Sequence, residues 1–219
     1  MCCRFALFTE IEEILAQWGI AEVEGDYLPR YNVAPTQNSL VATNDGAGLR
    51  LRSMHWGLLP HWARDDKLGT KLFNARSETA AEKPAFCDAF ARRRCLVLAN
   101  GFYEWSMATK QPWFIRPQGR ELFAFAGLWD RWTQGDDQRE TFTILTISPN
   151  DFMSSIHERM PVILPRNAER EWLETGSQEL LQPYPEPLEG WEVSKLVNRV
   201  ACDGPELIER FAGQTELTF

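Results

Sequence analysis

Residues 141–147 read Thr-Phe-Thr-Ile-Leu-Thr-Ile, an unbroken run dominated by β-branched side chains. Such side chains fit an extended, pleated backbone and lose rotamer freedom in a helix. Shorter runs of the same kind predict strands at residues 39–42, 50–56, 95–99, 113–115 and 122–126. Helical periodicity is confined to short pieces. Residues 10–18 place Ile11, Ile14, Leu15 and Trp18 on one face. Pro84 suits the first turn of a helix reaching Arg93, with Phe86, Ala89 and Phe90 on one side. Residues 168–174 and 205–211 predict two late helices, and the Pro- and Glu-rich stretch 182–190 predicts a surface loop. Many short strands with interspersed short helices predict an α+β fold. The expected core is a curved, barrel-like, mostly antiparallel β-sheet within a single domain over residues 1–219.

A chain of 219 residues with 44% hydrophobic and 25% charged side chains can bury a substantial core. Its formal net charge is −8, which excludes a protein that coats nucleic acid or an anionic membrane by bulk charge. The charge is uneven. Residues 1–25 carry net −4, residues 26–110 net +4 and residues 111–219 net −8, leaving room for a local basic groove. No apolar run approaches the roughly 18–20 residues of a membrane span, and no apolar segment of a secretory signal follows Met1. A cytoplasmic location, no membrane partner and reduced cysteines are expected. The five Cys (2, 3, 87, 95, 202) contain no CxxC pair and the three His (55, 61, 157) are scattered, so no metal site is expected. No organic cofactor is implied, and the absence of a heptad pattern makes a monomer the default.

Chemistry concentrates first at Cys2. Removal of Met1 would leave Cys2 as the terminus, with a free amine and a thiol on adjacent carbons. An α-amine has a pKa of about 8, so part of it is neutral and nucleophilic near pH 7. A 1,2-aminothiol forms a Schiff base with an aldehyde and then closes a thiazolidine ring. The bland alternative is a terminus that frays and does nothing.

Other segments read oddly for loops. In Phe73-Asn74-Ala75-Arg76-Ser77-Glu78, an extended backbone puts Asn74 and Arg76 on one face. Gly101-Phe102-Tyr103-Glu104-Trp105 sets one carboxylate among aromatics, where desolvation raises its pKa toward acid–base use. Ile156-His157-Glu158-Arg159-Met160-Pro161 holds a histidine suited to proton transfer near neutrality. Two tryptophans lie among breakers in His55-Trp56-Gly57-Leu58-Leu59-Pro60-His61-Trp62, so one is a candidate for exposure. His55 and His61 receive no role. Arg92-Arg93-Arg94 suits a helix C-terminus as structural charge.

Taken together, seven blocks resemble the SOS-response-associated peptidase (SRAP) family. They are Met1-Cys2-x-Arg4-Phe5, Tyr31-Asn32-Val33-Ala34-Pro35, Trp56-Gly57-Leu58-x-Pro60-x-Trp62-Ala63, Phe73-Asn74-Ala75-Arg76-x-Glu78-Thr79, Gly101-Phe102-Tyr103-Glu104-Trp105, Ile156-His157-x-Arg159-Met160-Pro161 and Asp203-Gly204-Pro205-Glu206-Leu207-Ile208. They run in order over nearly the whole chain. The resemblance implies a sensor of abasic sites in single-stranded DNA, also at junctions with duplex, that crosslinks to the ring-opened sugar aldehyde through Cys2. It also implies an autoproteolytic role in removing what precedes Cys2.

By position, Cys2 would be the nucleophile, Asn74 would hold its amine, Glu104 would shuttle protons and His157 would protonate the sugar ring oxygen. Arg4 and Arg76 would clamp phosphates, a task that suits the guanidinium fork. Trp62 would act as a wedge at the lesion, and Asn32, Pro35, Trp105 and Thr146 would line the pocket and strand path. One departure is Cys3, where the family commonly has Gly; its nitrogen is an amide, so it cannot form the thiazolidine. Another is the charged insert Arg64, Asp65, Asp66, Lys67 after Trp62. Two other functions stay open: a cysteine peptidase or N-terminal-nucleophile hydrolase, and a non-covalent single-strand binding module.

Overall fold

The β-branched run at 141–147 lies in a strand, Asp137–Ile147, that has partners along both edges. The computed structural model describes residues 2–44, 46 and 48–211. The chain runs through β1 (Arg4–Leu7), α1 (Ile11–Trp18), β2 (Val23–Glu24), β3 (Arg30–Val33), β4 (Asn38–Asn44) and β5 (Leu49–Trp56). Next come β6 (Asn74–Arg76), α2 (Ser77–Ala80), α3 (Cys87–Arg92), β7 (Arg94–Ala99), β8 (Gly101–Trp105) and β9 (Pro112–Pro117). The last third holds β10 (Phe123–Gln134), β11 (Asp137–Ile147), α4 (Asp151–Ser154), β12 (Met160–Pro161), α5 (Arg166–Thr175) and β13 (Leu188–Glu192).

Strands β11, β10, β7, β4 and β5 form a ring that closes on itself. Four of its seams are antiparallel, and the fifth is a short parallel seam that sets Thr141 opposite His55 and Phe142 opposite Trp56. Closure removes the open edges of a five-stranded sheet. It also explains why 141–147 does not alternate apolar and polar: all seven residues are buried. The expected barrel-like α+β architecture is the one observed. Inside the core, Trp56 stacks on Phe142 with ring centroids 6.2 Å apart and planes at 4°.

A second antiparallel sheet, in the order β13-β9-β8-β1-β3, packs against the barrel. The start of the chain forms an inner strand of it, between β8 and β3. In β1, Phe5 lies opposite Phe102 on one side and Val33 on the other. The Phe5 ring meets Trp56 at 5.0 Å and Phe125 at 6.2 Å, both edge-on. Burying one such ring is worth about 2 kcal/mol, so β1 is held rather than frayed. The other face of this sheet is roofed by the C-terminal segment, where Val193, Val197 and Leu207 pack on Ala6, Tyr103 and Phe114.

Gly101 marks the tightest point of that sheet. A Cβ there would lie 2.1 Å from Phe114 Cζ, deep in the packed face. Gly101→Ala is therefore expected to cost about 2–3 kcal/mol through overpacking. It should appear as a lower urea midpoint at unchanged m-value; a midpoint equal to wild type would contradict this packing.

Several expectations need correction. The helix expected to begin at Pro84 starts at Cys87, because Phe86 and Cys87 first turn back onto Lys83 O at 2.8 Å each. The helix expected over 205–211 is one 3-10 turn, Pro205–Leu207. Beyond it the backbone is captured by the second sheet: Phe211 N–H donates to Glu192 O, and Trp191 Nε1–H donates to Ile208 O. Segments read as loops contain strands β3, β6 and β8, and part of 182–190 belongs to β13. Arg94 is structural, as expected of the arginine run. Its guanidinium donates to the carbonyls of Phe90, Ala91 and Trp172, joining α3 to α5.

Candidate active site

Cys2 precedes a strand that is paired on both sides, and it has no exposed surface. Its carbonyl accepts a hydrogen bond from Asn74 Nδ2 at 2.6 Å, and its Sγ lies 3.7 Å from Arg4 O. Asn74 opens β6, which runs parallel to β11 with Asn74 opposite Ile144. The closed ring thus sets the amide. Asn74 Oδ1 is buried and accepts no hydrogen bond among the described residues. A buried acceptor without a donor costs about 1–3 kcal/mol, and this one sits on the residue that already holds Cys2.

Glu104 lies on β8 and is 2% exposed. By strand alternation it shares the barrel side with Phe102, while Tyr103 and Trp105 face the other core. Burial pushes its carboxyl up to about 7, against the opposing pull of the positive chain terminus. The same carboxylate is felt at both cysteines. Burial first, then Glu104, pushes the Cys2 thiol well above its ordinary range, and the Cys3 thiol is raised for the same two reasons. Cys2 is therefore a neutral thiol at neutral pH, and the nearby carboxyl can change charge there.

His157 follows α4 and is anchored by its own N–H to Met153 O at 2.8 Å. The Arg159 N–H lies 3.1 Å from its Nδ1 and the Arg159 carbonyl 3.2 Å. The Arg159 backbone thus engages Nδ1 and orients the ring. Burial lowers the pKa of His157, and the positive chain terminus adds to that. The imidazole is neutral at pH 7.

Arg159 is the residue the motifs contained without a role. Its guanidinium bonds both Glu78 oxygens, at 2.5 and 2.9 Å, and Thr146 O at 2.6 Å. That hydrogen bonding holds the Glu78 carboxyl below its usual range. The fork ties α2, β11 and the His157 loop into one unit. The signal in the sequence was its place two residues after His157. Thr146 is buried, with Oγ1 donating to Ala75 O at 3.3 Å, so it fixes β6 to β11.

The remaining candidates sit apart from this cluster. Arg4 Nε donates to Asn32 Oδ1 at 3.2 Å, and Asn32 Nδ2 serves the carbonyls of Val197, Arg199 and Cys202. Trp105 Nε1–H donates to Asn198 Oδ1 at 2.8 Å. Asn32 and Trp105 therefore engage the C-terminal segment directly, and Arg4 is tied to it through Asn32. Arg76 is exposed at the end of β6. Pro35 is half-buried in a tight turn whose Thr36 has φ +74°. Trp62 is 49% exposed on the loop between β5 and β6. That loop is closed at its base by Gly57 (φ +141°), where a Cβ would lie 2.3 Å from Gly69 O. Two cavities of about 400 and 420 Å³ lie elsewhere, one lined by Gln17, Arg120 and Arg166 and the other by Tyr27, Leu28 and Ser53. Among the described residues, no group of three or more His, Cys, Asp or Glu side chains could hold a metal ion.

Fold and site together define a barrel-based α+β protein that holds a buried cysteine by an amide, with the charge of a buried carboxyl felt at its thiol. The family model for SOS response associated peptidase (SRAP) matches residues 1–200, and the chain belongs to this family. It is 46% identical over 222 residues to abasic site processing protein YoqW of Bacillus subtilis, spanning 95% of this chain and 99% of that one. It is 33% identical to abasic site processing protein HMCES of Xenopus tropicalis over 82% of this chain and 65% of that one. A crystal structure of a protein from Bacteroides thetaiotaomicron superposes with a TM-score of 0.85 at 25% identity, covering 96% of this chain and all of that one.

Proposed function

We propose that this chain processes abasic sites in single-stranded DNA, including sites at junctions with duplex, by linking to them covalently through Cys2 once Met1 is removed. The observation that carries this is the buried Asn74 Oδ1, an acceptor without a donor among the described residues, on the residue that clasps Cys2. A free Cys2 amine would supply that donor.

The chemistry follows from the groups present. His157 hydrogen-bonds the sugar ring oxygen, and as the hemiacetal opens the C1′ hydroxyl proton passes to that oxygen, leaving the C1′ aldehyde. The neutral Cys2 amine attacks that carbon to give a carbinolamine, which loses one water to become an imine. The Cys2 thiol then adds across the C=N bond, its sulfur going to carbon and its proton to nitrogen. Since the thiol is neutral when buried, Glu104 relays the proton between sulfur and nitrogen. Arg4 and Arg76 hold the flanking phosphates, Trp62 blocks continued stacking, and Asn32, Pro35, Trp105 and Thr146 shape the strand path. The raised thiol favours this order over a peptidase, which would need a resident thiolate.

Asn74→Ala should slow adduct formation with an abasic single-stranded oligonucleotide by about 10–100-fold, through lost orientation of the amine. Equilibrium binding of a strand bearing a stable tetrahydrofuran lesion should stay within about twofold. An unchanged crosslinking rate would remove Asn74 from the mechanism. Equal crosslinking to a borohydride-reduced abasic site, which has no aldehyde, would remove the mechanism itself.

A further inference from the structure

Strand β3 forms one edge of the second sheet, and its pairing is irregular. Val33 stands opposite Phe5 and Arg30 opposite Leu7, so two residues, Tyr31 and Asn32, share the place opposite Ala6. This is a β-bulge, which re-aims a side chain and leaves backbone groups outside the ladder. One carboxylate satisfies them. Asp203 Oδ1 accepts from the Tyr31 N–H at 2.6 Å and from the Asn32 N–H at 3.0 Å, while Oδ2 accepts from Arg30 Nε at 2.7 Å. From across β1, Tyr103 O–H donates to Tyr31 O at 2.7 Å. The bulge is thus held on both sides.

Asn32 has no exposed surface. Its Nδ2 faces the carbonyls of Val197, Arg199 and Cys202 at 3.2, 3.1 and 2.9 Å. Carbonyls only accept, so the amide nitrogen must lie on that side and Oδ1 is left for Arg4 Nε, at 3.2 Å. Arg4 is half-buried and stands two residues from Cys2. Its charge reaches the site: burial and then Glu104 raise the Cys3 thiol, and Arg4 pulls against them. Arg30 is neutralised by Asp203. Arg4 is not: among the described residues no carboxylate meets its guanidinium, and its two terminal amino groups form no hydrogen bond. A guanidinium engaged only at Nε presents its end-on pair of N–H groups, which matches two oxygens of a phosphodiester.

We propose that Asp203 is a positioning residue for DNA binding: it caps the β3 bulge, the bulge aims Asn32, and Asn32 holds the Arg4 fork toward a backbone phosphate of the bound strand. Asp203 itself needs no contact with the strand, and Asn32, being buried, acts on it only through Arg4. This rests on DNA as the partner, as proposed above. It carries an unusual sign. Removing an acidic side chain from a DNA-binding protein tightens binding through bulk charge, whereas loss of a positioning carboxylate weakens it.

The test is fluorescence anisotropy with a single-stranded oligonucleotide bearing the tetrahydrofuran lesion, which cannot crosslink, over a series of KCl concentrations. Arg4→Ala should weaken binding about fivefold and make the log–log salt slope shallower by about 0.7, the value of one single-strand phosphate contact. Asp203→Ala should weaken binding about threefold, and the double variant should bind no more weakly than Arg4→Ala, because both act through one contact. Asp203→Asn, whose amide oxygen can still cap both N–H groups, should bind at least as tightly as wild type. With a true abasic strand, Asp203→Ala should raise the half-saturating DNA concentration for crosslinking about threefold while the saturating rate stays within about 1.5-fold; a loss of folded protein would not give that split. If Asp203→Ala does not fold, Asp203→Ser, whose hydroxyl accepts but is too short to cap both groups, takes its place in the cycle. Asp203→Ala binding as tightly as wild type, effects of Asp203→Ala and Arg4→Ala that multiply, Asp203→Asn binding as weakly as Asp203→Ala, or Arg4→Ala binding like wild type overturns the positioning role. Failure of wild type to bind DNA at all would overturn the function on which it rests, and is a separate result.

Discussion

Cys2→Ala, processed to a free amino terminus, is expected to bind a lesion-bearing single strand within about twofold of wild type while its stable adduct falls by at least about 100-fold. The alanine keeps the α-amine, so an imine can still form, and borohydride should trap it. Without the thiol the imine cannot close to a ring and hydrolyses back. The buried position loses only one sulfur atom, a cost of about 1 kcal/mol, so the fold should survive. Denaturing gels with and without borohydride read the two outcomes separately. A stable adduct without reductant would mean that the thiol is not part of the linkage.

Glu104→Gln carries the second large effect. Losing a positioned acid–base group should slow crosslinking by about 10²–10⁴-fold. With the carboxyl at about 7, the wild-type rate should rise as pH increases through neutrality, and the glutamine variant should keep only the part of that rise that comes from the Cys2 amine. Stability should move the other way. A carboxyl raised from its ordinary value of 4.5 to about 7 stabilises the fold in its protonated form. That contribution is full below pH about 4.5 and is lost as pH rises through 7, by up to about 3 kcal/mol. Urea midpoints of wild type should therefore fall between pH 5 and pH 8 relative to Glu104→Gln. If the variant lost DNA binding and stability at both pH values, Glu104 would be a structural residue.

The barrel was largely legible in the sequence because its five staves, β4, β5, β7, β10 and β11, include the β-branched and apolar runs. The second sheet was harder, for a reason tied to function. Its strands β1, β3 and β8 carry Arg4, Asn32, Gly101 and Glu104, and buried polar groups and a packing glycine break the patterns that mark a strand. The family resemblance is what named Cys2, Asn74, Glu104 and His157 together. Spacing alone could not do so, since the Cys2–Asn74 bond spans 72 residues. Arg159 with Glu78 and Arg4 with Asn32 escaped for the same reason. Each pair is separated by tens of residues, and only the folded chain makes one partner explain the other.

The net charge of −8 is compatible with a strand bound at one lesion. On the proposed reading, a few cations such as Arg4 and Arg76 suffice to meet a short stretch of backbone. Selectivity would then come from the proposed covalent step, which only an aldehyde can complete.

Intact-mass measurement after mixing the protein with a single-stranded oligonucleotide bearing one abasic site tests the covalent account most directly. The predicted species has lost Met1, and its mass is the sum of protein and DNA minus one water, with the link mapped to Cys2. An adduct that retains Met1, that forms on Cys2→Ala without reductant, or that maps to another residue would contradict it.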